Sequence, residues 1–113
     1  MDERIRKWLI DILSSIEEIE SFLLKIPVSF AAYQGNQLLK RGIERNLEII
    51  GEAMNRIISR DEGFVEKIAE ARNIIGLRNQ IIHSYDNVSD ENIWSILINH
   101  LPDLKMQVAD LLK

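Results

Sequence analysis

Arg78, His83 and Tyr85 fall within eight residues, Arg78-Asn79-Gln80-Ile81-Ile82-His83-Ser84-Tyr85. The run holds no acid, no glycine and no cysteine. An arginine is a permanent cation whose planar fork matches a phosphate. A histidine is the side chain that gives or takes a proton near neutral pH. Together they are the minimum equipment for cutting a phosphodiester without a metal. His83 is one of only two histidines in the chain, so its place does not reflect a histidine-rich composition. A plainer reading stands beside this one. Near a helix end, an arginine and a histidine also cap carbonyls and favour the dipole.

The helix that must carry these residues has two faces. At 100° per residue, Ile74, Leu77, Ile81 and Tyr85 form one apolar stripe, and Arg72, Gly76, Asn79 and His83 lie on the opposite side. Arg78 sits at the edge of the stripe, about 140° from His83. Asn79 is therefore the residue expected beside the imidazole, to orient it or to bind the same ligand. Arg78 must curl around the helix to reach His83, or meet a histidine of another subunit. Gly76 would let a second helix come near. A two-fold pairing of this helix would bring two arginines and two histidines together, and isologous pairing is the commonest oligomeric arrangement. The alternative is a solvated polar face with an incidental glycine. Tyr85 likewise either packs with its hydroxyl outward or offers that hydroxyl to a partner at the helix end.

The rest of the chain reads as helices. Residues 2 to 25 form a long amphipathic helix on Ile5, Trp8, Leu9, Ile12, Ile16, Ile19 and Leu23, stopped by Pro27. A second helix spans about Ser29 to Ser59, with Leu38, Leu39, Ile43, Leu47, Ile50, Met54 and Ile57 as its apolar positions. Its glycines, Gly35, Gly42 and Gly51, weaken an unbroken helix, although two of them are suited to close helix approach. A short helix from Phe64 to Ala71 precedes the motif helix, Arg72 to Ser84. Ser89 or Asp90 caps a last helix from Glu91 to Leu112, which Pro102 restarts or kinks. No segment alternates like a strand. The expected fold is an all-α antiparallel bundle of four to five helices.

The 113 residues suit a single domain, 1–113, with 46% hydrophobic residues available for a core. No apolar run approaches the roughly 20 residues that span a bilayer. The N-terminus lacks the pattern of a signal peptide, so the expected compartment is the cytosol. The absence of cysteine excludes disulfides, thiolate catalysis and cysteine-bound metal centres. No convincing metal cluster or cofactor motif is visible. A net charge of −4 argues against a long nucleic-acid groove. Residues 71 to 85 nevertheless hold Arg72, Arg78 and His83 without an acid, which suits a small phosphate site. Arg72, on the face of His83, is the candidate for a flanking phosphate.

The eight residues match R-x4-H-x-Y, and the chain resembles the HepT-like branch of the HEPN superfamily. The segment NLEIIGEAMNRI, residues 46 to 57, is similar to the family's second helix. Residues 86 to 108, with Trp94 and the Leu101–Pro102 pair, are similar to its last turn and helix. Before the motif the chain departs from the family: it reads EARNIIGLRN where many relatives are rich in aromatics. The resemblance implies a metal-independent RNase toxin of a two-gene module, acting as a homodimer with both motifs lining a shared cleft. It implies Arg78 and His83 as catalytic and Asn79 as supporting. Its partner would be a minimal nucleotidyltransferase antitoxin of the MntA type, which transfers AMP to Tyr85. Two other classes stay open: a non-catalytic nucleotide-binding or accessory subunit of a nucleotidyltransferase, and a structural dimerisation domain.

Overall fold

The protein is described from a computed structural model covering residues 1–83 and 89–113. Its elements are α1 (Glu3–Leu23), α2 (Phe30–Gln34), α3 (Gln37–Arg60), α4 (Phe64–Lys67), α5 (Ala71–His83), α6 (Asp90–Ser95), a π turn (Ile96–His100) and α7 (Leu101–Leu111). The all-α bundle expected from periodicity is the observed fold, and among the described residues there is no strand.

Helix α1 begins at Asp2, whose Oδ1 accepts from the Arg4 and Ile5 amides at 2.8 and 3.1 Å. Its other oxygen accepts from Arg60 Nε at 2.9 Å. One carboxylate thus caps α1 and ties its start to the end of α3, which fixes the pair as antiparallel. Ile5, Leu9, Ile12, Ile16 and Ile19 bury the inner stripe of α1 against Ile43, Leu47, Ile50 and Ile57 of α3. Helix α3 is the central rod, packed on α1 along one side and on α5 along the other.

The expected single helix from Ser29 to Ser59 is two helices. Gly35 ends α2, and Asn36 leaves helical geometry to cap α3, its Oδ1 accepting from the Leu39 amide at 3.0 Å. Gly-Asn is a stop followed by a start. Helix α4 is also shorter than expected, because Ile68 turns extended and buries its side chain completely. The last helix starts at the Ser89 cap, whose Oγ accepts from the Asn92 amide at 3.1 Å. It does not run straight to Leu112. Leu101 N–H donates to the Ile96 carbonyl, a π-type bond, and Pro102 then opens α7. Proline has no N–H to give to the Ile98 carbonyl, so the α pattern cannot pass unbroken through it.

Two features hold α6 in place. Tyr33 is fully buried, with its ring 5.5 Å from that of Trp94 and 6.5 Å from that of Phe30. Lys40 Nζ lies 2.9 Å from Asp90 Oδ2, joining α3 to the start of α6. Among the described residues, no helix is long and apolar enough to cross a membrane.

Candidate active site on helix α5

The seating of α5 on α3 depends on Gly51. A Cβ at that position would overlap Arg78 Cβ and lie 2.8 Å from its Cγ and 3.1 Å from the Ile74 carbonyl oxygen. The hydrogen at Gly51 is therefore the space in which the stem of Arg78 lies. Gly42 plays the matching part toward α1, where a Cβ would meet Phe22 Cε2 at 3.1 Å. These are the two glycines of α3 that sit at close helix contacts.

The faces of α5 are those expected from angular position. Ala71, Ile74, Leu77 and Ile81 are buried, whereas Arg72, Gly76, Asn79 and His83 are exposed. Arg78 lies between, half-buried against α3. Its Nη1 donates to Asn79 Oδ1 at 3.0 Å. Its Nε is buried and has no hydrogen-bond partner among the described residues. Buried guanidinium nitrogens are normally satisfied.

His83 is the last residue of α5 and is exposed. Among the described residues, nothing donates to or accepts from its ring. Asn79 pairs with Arg78 rather than with the imidazole. The structure therefore joins Arg78 to Asn79 and, among the described residues, shows no hydrogen bond from either to His83. Arg72 is exposed on the same face as His83, one end of the helix from it. Tyr85 lies outside the described residues. Gly76 faces open space, with nothing within 4 Å of a Cβ built there.

Sequence reasoning allowed two of Gly35, Gly42 and Gly51 to permit close helix approach without singling out Gly51, and did not join it to Arg78, because that pairing is non-local. It placed His100 at a helix end or on the surface. The side chain closes the π turn half-buried, with its Nδ1 3.2 Å from Glu70 Oε2. Among the described residues, no group of three or more histidine and carboxylate side chains is placed to hold a metal.

Comparison with known proteins gives the family. The Ribonuclease HepT-like family matches residues 12–111. An inferred RNase of Methanocaldococcus jannaschii is 32% identical over 106 residues, covering 92% of this chain and 93% of its own. An inferred RNase of Caldanaerobacter subterraneus subsp. tengcongensis is 31% identical, with 87% and 88% covered. A Thermococcus cleftensis protein named "Probable ribonuclease HepT" is 30% identical, with 96% of each chain covered. No solved structure matches the chain. With 100 of its residues matched in order, from the middle of α1 to the end of α7, the chain belongs to the Ribonuclease HepT-like family.

Proposed function

We propose that this protein is a metal-independent endoribonuclease, the toxin of a two-gene module, active as a homodimer. One observation carries the reading. Arg78 is seated half-buried against Gly51, on the same helix as an exposed histidine, in a chain of this family.

RNA supplies its own nucleophile. His83 takes the proton of a 2′-hydroxyl, and that oxygen attacks the adjacent phosphorus. The bond to the 5′-oxygen breaks, and His83 of the partner subunit returns a proton to the leaving oxygen. The products are a 2′,3′-cyclic phosphate and a 5′-hydroxyl. Arg78 neutralises the charge that grows on the phosphoryl oxygens. Asn79 supports it by holding one guanidinium nitrogen. The homodimer answers a geometric need, since Arg78 and His83 of one α5 point about 140° apart.

His83→Ala and Arg78→Ala are each expected to lower cleavage of single-stranded RNA by roughly 100-fold or more. Cleavage persists in EDTA, and DNA of the same sequence survives because it lacks the 2′-hydroxyl. Undiminished cleavage by His83→Ala, or loss of activity in EDTA, overturns the mechanism.

A second reading has one observation in its favour: Arg78 and His83 are not joined within one chain. An arginine that holds a phosphate without a nearby base would serve a non-catalytic nucleotide-binding or accessory subunit of a nucleotidyltransferase. In that case RNA or nucleotide binds, Arg78→Ala abolishes binding, and nothing is cut.

Control of the toxin is assigned to Tyr85. A cognate minimal nucleotidyltransferase transfers AMP to its hydroxyl. The added phosphate repels RNA at the cleft and competes for Arg78.

A further inference from the structure

A groove of about 490 Å³ runs along the exposed side of α5, away from Arg78. That volume lies within the range of small-ligand sites. One wall is α5, with Arg72, Asn73 and Gln80; the other is α6 and the π turn, with Asn92, Ser95 and His100. Its floor opens at Gly76, where a side chain would meet nothing within 4 Å. Glu70 lies at one end, 3.2 Å from His100. The π turn that shapes the second wall is a rare geometry that recurs at functional sites.

The groove and the motif histidine share a face of α5. His83 follows Gly76 by seven residues, which returns it to nearly the same angular position about 10 Å further along the axis. A strand bound in the groove therefore leads toward His83. The lining fits nucleotides better than protein. Three amides and a hydroxyl can donate and accept on base edges and ribose hydroxyls, and single-stranded RNA is read on such unstacked edges. Arg72 is the cation for one phosphate. Glu70 disfavours a second phosphate at the far end, and it is held by His100. The core of a protein interface is, by contrast, apolar and poor in charge.

We propose that this groove binds the single-stranded RNA flanking the scissile phosphate, with Arg72 on a phosphate and Asn73, Gln80 and Asn92 on base or ribose edges. The proposal deepens the ribonuclease reading, and its test keeps the two apart. Binding is measured by fluorescence anisotropy of a short labelled single-stranded RNA on the full chain carrying His83→Ala, so that cleavage does not interfere. Gly76→Phe directs a ring into the groove from a position where a Cβ meets nothing within 4 Å. The pair Gln80→Ala with Asn92→Ala removes two polar contacts. Each is expected to weaken RNA binding roughly tenfold, the scale of two lost hydrogen bonds. Thermal unfolding and sedimentation stay as in the parent. In the otherwise native chain, the loss appears in KM, with kcat for saturating RNA retained.

Unchanged affinity in both variants overturns the proposal. So does a change in sedimentation with Gly76→Phe, which would assign the groove to contact between copies of this chain. If Gly76→Phe does not fold, the alanine pair still decides. If the native chain binds RNA through the groove but cuts nothing, the ribonuclease reading falls and the groove stands. If the chain cuts RNA while both groove variants bind it normally, the groove alone falls.

Discussion

At position 51 one added carbon decides where Arg78 can stand. The stem of Arg78 occupies the space a Cβ would take, and the Ile74 carbonyl closes the other side. Neither neighbour is the far end of a flexible chain, so α5 itself must shift. Gly51→Ala is expected to destabilise the fold by about 1–3 kcal/mol, the usual cost of overpacking. The shift also moves Arg78 relative to the scissile phosphate, and misplacement by about 1 Å can cost 100-fold. Gly51→Ala should therefore cut kcat far more than its melting temperature explains. A kcat that stays native in the folded variant would detach Gly51 from the positioning of Arg78.

Among the helices, the periodic apolar stripes were readable from sequence because each is a local pattern. The buried faces of α1, α3 and α5 are those that spacing assigns, except that Leu38 in the first turn of α3 is exposed, and Arg72 and His83 are exposed as expected. The interruptions were harder to read. Gly35-Asn36 breaks what periodicity alone would join, since a stop and a cap outweigh a continuing stripe. Pro102 marked the break where the π turn lies, whereas the pairs Gly51–Arg78 and Glu70–His100 are non-local, and no spacing rule points to them. Tyr85 lies outside the described residues, so its place rests on sequence alone. The junction of α3 with α6 carries a pH-dependent stability term. Burial raises the Glu44 carboxyl above its ordinary 4.5, Lys40 and Arg41 oppose this, and Asp90 and Glu48 add to it. An acid whose folded pKa is raised destabilises the fold where it must be ionised. The cost is absent well below 4.5 and grows as pH rises through the folded value. Glu44→Gln should thus raise the melting temperature at pH 7 and leave it unchanged at about pH 3.5. An equal effect at both values would mean that shape, not charge, sets it.

The whole molecule is acidic, with a net charge of −4, yet its chemistry is assigned to a short segment of α5 free of acids. Such a protein is open to control by one added anion, because that anion competes with RNA phosphate for the few cations of the segment. Tyr85 follows His83 by two residues, so AMP on its hydroxyl would sit within reach of the cleft that Arg78 and His83 serve. The modification adds a phosphate and a stacking base without requiring a change of fold. Co-expression with the cognate minimal nucleotidyltransferase should add one or more AMP groups by intact mass, mapping to the peptide that contains Tyr85. Tyr85→Phe removes only a hydroxyl and should fold and escape modification. If that variant cuts RNA at the native rate and resists silencing, Tyr85 is purely regulatory. If it is folded and unmodified but slow, with the loss in KM, the hydroxyl also contacts RNA. AMP transfer that continues at the native level on Tyr85→Phe would place the control point on another residue. It would also remove the reason for linking silencing to the neighbourhood of His83.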